Sequence, residues 1–215
     1  MGVEVLTFVS RMMDTNTFLV RSGDACAVID LGFGPDAVLA FLRRGNVVPD
    51  EVILTHGHCD HIAGIHDLHA QCGPVPVWCP AADAAMLTDA AANLSAPFGL
   101  TVTVPPADRQ FAAGEGLEIG RTRWEVLDTS GHTPGGVSLY CRDEAVVFTG
   151  DALFAMGIGR TDFPGGDAAR LLGNIRRNLL SLPPDTVVYP GHGPATTIGR
   201  EARGNPFLAD ASHGD

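Results

Sequence analysis

One short segment constrains this chain more than any other. Residues 55–61 read Thr-His-Gly-His-Cys-Asp-His and follow an apolar run that predicts a buried strand. Alternate residues of an extended chain point the same way, so His56 and His58 share one side. Asp60 is expected near the N-cap of a following helix, with His61 in its first turn. Imidazole and carboxylate groups that converge at a strand end suit zinc, iron or manganese.

Three later segments repeat this pattern, each with an apolar run, a glycine and one ligand-type residue. Sites in layered α/β proteins commonly lie on the loops at strand ends, so these segments are expected to converge with the first. A catalytic zinc usually takes three protein ligands, and the larger set found here predicts two metals with one carboxylate between them. The candidate ligands are His56, His58, Asp60, His61, His132, Asp151 and His192.

Other ligand-type side chains are interpreted as structural. His66 and His69 lie three apart on a predicted helix, where surface or packing roles are expected, and His213 lies in a polar tail. Alternation turns the Cys59 side chain away from the side of the motif histidines. The chain has five cysteines and no CxxC pair, which indicates free thiols in a reducing compartment and not a disulfide framework or a cysteine zinc site.

The charge balance limits the partners. Lys and Arg number 14 and Asp and Glu number 25, which gives a net charge of −11 and disfavours binding to nucleic acid or to an anionic membrane. No signal-peptide pattern is visible, and no apolar stretch approaches the ~20 residues that span a bilayer. The sequence therefore predicts a cytoplasmic protein that acts on a small molecule. No heptad pattern sets its oligomeric state.

Strands alternate with helices through both halves of the chain, which predicts a layered α/β architecture with helices outside the sheets. We expect one domain over residues 1–199 and a partly flexible tail over residues 200–215. The expected strands are 3–9, 18–21, 25–30, 51–54, 76–79, 100–104, 117–119, 123–127, 137–140, 145–148 and 186–189, and the expected helices are 36–44, 62–71, 81–92 and 168–180.

The motif with its later His, Asp and His resembles the metallo-β-lactamase superfamily over nearly the whole chain. The resemblance implies an αββα four-layer sandwich with the metal site at one edge of the two sheets. It also implies how the ligands divide. His56, His58 and His132 would hold one metal, Asp60, His61 and His192 would hold the second, and Asp151 would bridge them.

Within the superfamily, residues 148–154, 157–163 and 191–194, with Asn-Pro-Phe at 205–207, are similar to glyoxalase II, most of all to its short single-domain bacterial branch. This implies hydrolysis of S-acylglutathione thioesters such as S-lactoylglutathione by a hydroxide that bridges two divalent metals, zinc first and iron or manganese as alternatives. Asp60 is the candidate catalytic residue, which orients or deprotonates the attacking water.

The chain also departs from that group. Arg160 and Asp162 stand where the longer enzymes have a lysine and a tyrosine, and Gly193-Pro194 replace the tyrosine after the last histidine. The chain ends before the helical domain that supplies those enzymes with basic groups for glutathione. Arg160 can bind a substrate carboxylate through its planar fork, and it is our candidate substrate-binding residue. Acyl hydrolysis is thus better supported than glutathione as the thiol.

Two rival functions stay open. Relatives on this fold oxidise persulfides with one iron held by two histidines and one aspartate, and they carry the Gly-Arg-Thr-Asp-Phe stretch found at residues 159–163. The ending at residues 191–194 instead resembles the hydrolases. The second rival is a non-catalytic metal-binding protein, although every ligand position is filled by a ligand-type residue.

Overall fold

Two six-stranded sheets lie face to face at the centre of the molecule. The structure is a computed structural model and describes residues 2–209. The strands of the first sheet are β1 (Glu4–Val9), β2 (Asn16–Ser22), β3 (Ala25–Ile29), β4 (Glu51–Ile53), β5 (Val77–Pro80) and β6 (Arg109–Phe111). The later strands are β7 (Gly116–Ile119), β8 (Thr122–Asp128), β9 (Val137–Cys141), β10 (Val146–Gly150), β11 (Leu153–Phe154), β12 (Gly157–Ile158), β13 (Val187–Pro190) and β14 (Thr196–Thr197).

The strand order brings several strand ends to one edge. The first sheet runs β1-β2-β3-β4-β5-β6, the second runs β14-β13-β10-β9-β8-β7, and β11 and β12 form a separate hairpin. Strand β9 is antiparallel to both β8 and β10, and β13 is parallel to β10. The carboxyl ends of β8, β10 and β13 therefore meet at the same edge of the second sheet, where sites of layered proteins commonly lie.

Alternation along the strands builds the layer between the sheets. Phe18 and Ile29 face inward from the first sheet, and Trp124 and Phe148 face them from the second. Successive strand residues point to opposite faces, so their neighbours pack outward against the helices. The rings of Trp124 and Phe148 stack with centroids 5.4 Å apart, a geometry that adds to the burial of apolar area.

Helices cover both outer faces. On the first sheet, Leu42, Ile65 and Leu68 pack into one core, and on the second sheet Leu171 and Ile198 pack into another. The result is the αββα four-layer sandwich that the sequence predicts. The helices are α1 (Asp36–Gly45), α2 (Cys59–Ile62), α3 (Ile65–Cys72), α4 (Ala168–Asn174), which continues as a π-helical turn over Ile175–Leu179, and α5 (Ile198–Gly204).

The structure corrects two expected elements between β5 and β6. Residues 81–92 form a 3₁₀ helix only over Ala81–Thr88, because the Asp89 carboxylate accepts from the amides of Ala91 and Ala92 and starts a separate turn. Residues 100–104 are not a strand. Their backbone groups bond instead to Asn93, Ser95 and Leu87, and the strand that joins the sheet is β6, which the sequence analysis missed.

The packed region extends beyond the expected boundary at residue 199. Helix α5 crosses that position, and Glu201, Asn205 and Leu208 are buried, so the expected tail contributes to the domain as far as Leu208. Residues 210–215 lie outside the described residues, as does His213. Among the described helices, none is long and apolar enough to cross a membrane.

Candidate metal centre

Four loops deliver the predicted ligands to one edge of the sandwich. The motif loop leaves β4 in the first sheet, and the loops with His132, Asp151 and His192 leave β8, β10 and β13 in the second. The Thr55 carbonyl accepts from the Val137 amide at 3.0 Å and ties the two sheets together beside the centre. Helix α2 begins at Cys59, with His58 as its N-cap, so Asp60 lies within its first turn and not at the N-cap.

Three of the histidines form one set of potential ligands, here called the three-histidine group: His56, His58 and His132. One ring nitrogen of each lies within 4.8 Å of the others. The Nδ1 atom of His58 is 2.9 Å from Nε2 of His132. All three side chains are buried. Burial, followed by the nearby His132, lowers the pKa of His58 to about 3, so its ring is neutral at neutral pH, as a metal ligand must be.

Asp60, His61 and His192 form a second set, here called the carboxylate group, whose donor atoms also lie within 4.8 Å. Nε2 of His192 is 3.2 Å from the Asp60 carboxylate. Burial opposes a charge on His192, but hydrogen bonds to Asp151 and Asp60 outweigh it and raise its pKa to about 10. The carboxylates of Asp60 and Asp151 thus stabilise a positive charge beside them, which either a proton on His192 or a metal ion can supply.

Asp151 lies between the two groups. One carboxylate oxygen is 3.5 Å from Nε2 of His132 and 3.4 Å from Nε2 of His192, and the other is 3.3 Å from Nε2 of His61. Among the described residues, the buried atoms without a hydrogen-bond partner include Nε2 of His56, Nε2 of His61 and Oδ1 of Asp151. Unpaired buried polar atoms are costly, and these converge on one centre, so the residues fit divalent metal ions.

A buried aspartate that the sequence analysis missed orients the rings. Asp30 accepts from Nδ1 of His61 at 2.8 Å and from the Thr55 hydroxyl at 2.7 Å. That hydroxyl in turn accepts from Nδ1 of His56 at 3.1 Å. His132 is fixed similarly, because its Nδ1 donates to the Arg160 carbonyl at 2.7 Å. Each of these partners leaves Nε2 free toward the centre, which is how outer partners set the tautomer of ligating histidines.

A second buried aspartate, Asp83, joins two ligand loops without touching a ligand ring. Its carboxylate accepts from the Gly57 amide at 3.2 Å, the Gly135 amide at 2.7 Å and the Thr133 hydroxyl at 2.6 Å. Burial raises its pKa, and these hydrogen bonds oppose the rise. Asp83 therefore fixes the loop that carries His58 relative to the loop that carries His132.

The amino-terminal hairpin holds the last ligand loop. Nδ2 of Asn16 donates to the carbonyls of Pro190 and Gly193, both at 2.8 Å, and the Thr15 hydroxyl donates to Asp60 at 3.2 Å. Glycine is required at position 191, since a Cβ there would collide with the Asp151 carboxylate. The position of His192 therefore depends on Asn16 in the amino-terminal hairpin and on Gly191 in its own loop.

The centre opens into a cleft of about 420 Å³, with Asp60, Asp151 and His192 among its lining residues. Arg160, the candidate substrate-binding residue, also lines the cleft, but its guanidinium pairs with Asp162 at 2.7 and 2.6 Å. The structure thus brings together all seven predicted ligands and places Arg160 beside them.

Two of the histidines interpreted as structural bond to backbone carbonyls outside the centre. His66 and His69 bond through Nε2 to the carbonyls of Thr103 and Val75, at 2.8 and 2.9 Å. Cys59 lines the cleft, but burial raises its pKa to about 11, and no described metal-ligand set includes it. All five cysteines are free.

The fold and the centre define a layered metal-binding protein, and comparison with known proteins gives its family. The family model described as the metallo-beta-lactamase superfamily matches residues 11–192. The chain is 37% identical to the probable metallo-hydrolase YqgX of Bacillus subtilis, over 91% of this chain and 93% of that protein. It is also 37% identical to the hydroxyacylglutathione hydrolase GloC of Haemophilus influenzae, over 86% and 88% of the two chains.

Solved structures agree. The crystal structure of the BLEG-1 B3 metallo-beta-lactamase superposes with a TM-score of 0.90 at 36% identity, over 96% of this chain and all of that one. TTHA1623 in a di-iron-bound form gives 0.84 at 37% identity, over 95% and 100% of the chains. ETHE1 from Myxococcus xanthus gives 0.76 at 28%, over 94% and 83%. The chain belongs to the metallo-β-lactamase superfamily, and within it the chain is similar to metallo-hydrolases.

Proposed function

We propose that this protein is a metal-dependent thioester hydrolase of the glyoxalase II type. The observation that carries the proposal is the pairing of two adjoining ligand groups on Asp151 at the floor of an open cleft. The similarity to GloC, whose name states hydroxyacylglutathione hydrolase, supports S-acylglutathiones as a first substrate class to test.

The proposed cofactors are two divalent metal ions, with zinc as the first choice. Five histidines and two aspartates suit zinc, iron and manganese alike, and the di-iron form of TTHA1623 supports iron as the alternative. Such ions supply Lewis acidity and make bound water a nucleophile near neutral pH. His56, His58 and His132 would hold one ion, Asp60, His61 and His192 would hold the other, and Asp151 lies between the two groups, where it could contribute to both.

The residues of this chain prepare the reaction around that centre. Asp30 and the Arg160 carbonyl hold the histidine rings, so little reorganisation is needed when charge develops. Asp60 lines the cleft, where its carboxylate would accept a hydrogen bond from the attacking water and orient it. The water oxygen would bond to the thioester carbonyl carbon, and the C–S bond would break. A thiol has a pKa of about 8.5, so the thiolate leaves without a strong general acid.

Persulfide oxidation at a single iron is the second candidate. It is supported by the similarity to ETHE1 and by the composition of the carboxylate group, since two histidines with one carboxylate are the facial set of non-haem iron oxygenases. A single iron per chain and oxygen uptake with glutathione persulfide would identify this activity.

The test combines hydrolysis of S-lactoylglutathione with metal analysis of the same purified sample. We expect turnover with about two metals per chain. Turnover and one metal should be lost in His58→Ala. The matched control is His66→Ala, an exposed histidine bonded to the Thr103 carbonyl, which should keep both. Bound metal without turnover of any thioester or persulfide would contradict both enzymatic functions and support a binding protein.

A further inference from the structure

The walls of the cleft are apolar although its floor is charged. The loops that contain Met13 and Phe98 line the cleft together with Asp60. Both side chains are large, apolar and exposed, Met13 by 39% and Phe98 by 56%. The β11–β12 hairpin closes a third side. Exposed apolar patches of this kind mark binding surfaces. The apolar lining residues are Met13, Leu94, Phe98, Phe154, Ile158 and Phe163.

The wall that includes Phe98 is held in place by polar contacts of Asn93. Nδ2 of Asn93 donates to the carbonyls of Met86 and Val102, at 3.0 and 2.8 Å, and fixes the base of the loop that carries Phe98. The Cys59 amide donates to the Asn93 carbonyl at 2.9 Å, so this loop is tied directly to the ligand motif. The position of Phe98 is therefore fixed relative to the ligand motif.

Positively charged side chains are scarce on the walls of the cleft. The sequence contains no lysine, and Arg160 is the only arginine among the described residues that line the cleft. Its guanidinium is engaged twice over, by the bidentate pair with Asp162 and by stacking 3.9 Å above the Phe163 ring. Arg160 lowers the pKa of Asp162 to about 2, so the pair is charged on both sides at neutral pH.

We propose that the cleft selects thioesters with apolar, uncharged groups on either side of the C–S bond, and that Asp162 disfavours anionic thioesters by occupying Arg160. This rests on the proposed hydrolase function and names its substrate class. A substrate carboxylate must displace a partner that lies two residues away and has a high effective concentration. The net charge of −11 adds a general repulsion of anions. Apolar groups meet no such competitor and gain from burial against the walls.

The experiment compares one acyl group on two thiols: S-hexanoyl-N-acetylcysteamine, which is uncharged, and S-hexanoylglutathione, which carries two carboxylates. We expect wild-type protein to prefer the uncharged ester in kcat/KM by roughly tenfold. In Asp162→Asn, which frees the guanidinium, we expect KM for the glutathione ester to fall up to about fivefold relative to KM for the uncharged ester.

The matched control is Glu125→Gln. It breaks another exposed pair, in which Arg142 donates twice to Glu125 at 3.2 Å, and neither residue lines the cleft. The ratio of the two KM values should stay at its wild-type value. A wild-type preference for the glutathione ester, or an equal shift in both variants, overturns the inference.

Failure of the hydrolase proposal is a separate outcome. If neither ester is hydrolysed, the thioester function is wrong, and calorimetric binding of the thioethers S-hexyl-N-acetylcysteamine and S-hexylglutathione still decides the selectivity. Tighter binding of the uncharged thioether, with Asp162→Asn narrowing the difference, supports the inference. Tighter binding of S-hexylglutathione to the wild type overturns it.

Discussion

The three-histidine group and the carboxylate group meet at Asp151, yet they hold protons in opposite ways. Burial and the adjacent His132 hold the pKa of His58 at about 3, whereas the carboxylates around His192 raise its pKa to about 10. One group is therefore ready for a cation at neutral pH, and the other must first release a proton. Two neighbouring groups built from the same imidazole ligand thus differ because of the charges beside them.

The groups also differ in their support. Asp30 bonds directly to the His61 ring, while Asp83 bonds only to the loops that carry His58 and His132. A ring held by a carboxylate is oriented and made more basic, whereas a loop held by one is only positioned. We therefore expect the two aspartates to affect metal binding and folding in different proportions.

The largest effect is expected for Asp151→Ala, which removes the side chain shared by both groups. Metal content should fall from about two ions per chain to one or none, and kcat/KM for thioesters should fall on the order of 10²–10³-fold or more. Metal analysis and hydrolysis rates on dialysed protein measure this. Asp67→Ala, an exposed acid on α3, is the control. Retention of both metals would show that Asp151 does not join the groups.

Asp30→Asn should weaken metal affinity by about 10–100-fold. One oxygen of the Asp30 carboxylate accepts from both Nδ1 of His61 and the Thr55 hydroxyl. An asparagine has a single acceptor oxygen and no charge, so it would hold the His61 ring less firmly. Competition with a chelator measures the affinity. The matched variant Asp83→Asn should act mainly on folding and lower the free energy of unfolding by about 1–3 kcal/mol in urea titrations. If the two variants changed metal affinity and the free energy of unfolding equally, Asp30 and Asp83 would not differ in how they support the centre.

The third prediction concerns how zinc affinity changes with pH, which should differ between the two groups. The raised pKa of His192 means that its proton stabilises the metal-free fold fully below about pH 6.5, and that this contribution is lost as the pH rises through about 10. Zinc affinity of the carboxylate group should then rise about tenfold per pH unit between about pH 6 and 8.

Single-group variants allow this measurement. His58→Ala leaves the carboxylate group, and His192→Ala leaves the three-histidine group, so each can be titrated calorimetrically with zinc across that pH range. The slope should be steep in the first variant and nearly flat in the second. If zinc affinity changed with pH by the same amount in both variants, the two groups would not differ in the proton that they must release.

The smallest effect is expected for Cys59→Ser. The thiol of Cys59 is buried within the ligand motif, and burial raises its pKa to about 11, so it stays a neutral thiol at neutral pH. Metal content should remain at the wild-type value, as measured by metal analysis after dialysis. Loss of one metal would make Cys59 a ligand and would redraw the boundary between the two groups.

The candidate ligands could be located from the sequence because each follows an apolar run and a glycine or lies within one short motif. Such local patterns place strand ends, and the parallel course of β8, β10 and β13 brings those ends together. The alternation of strands and helices predicts a layered architecture, and the resemblance to the superfamily adds that the layers number four. These features depend on residues close in sequence and on general packing rules.

The supporting residues could not be predicted in the same way. Asp83 contacts Gly57 and Gly135 only after distant loops have packed, and no local pattern distinguishes it from a solvated acid of an alanine-rich helix. Asp30 carried one usable signal, since it directly follows the apolar strand β3, as the ligands follow apolar runs in their own loops. The strand β6 was missed because its pairing with β5 is set by residues far along the chain.

The contact of Asn16 with the carbonyls of Pro190 and Gly193 has a consequence for biosynthesis. On the ribosome, the hairpin with Asn16 is made first and its partner loop is made near the end, so the two meet only after nearly the whole domain has emerged. A nascent chain already displays His56, His58 and His61 long before His192 exists. A metal ion bound at that stage would have an incomplete set of ligands. The complete ligand set exists only once the whole domain has been synthesised.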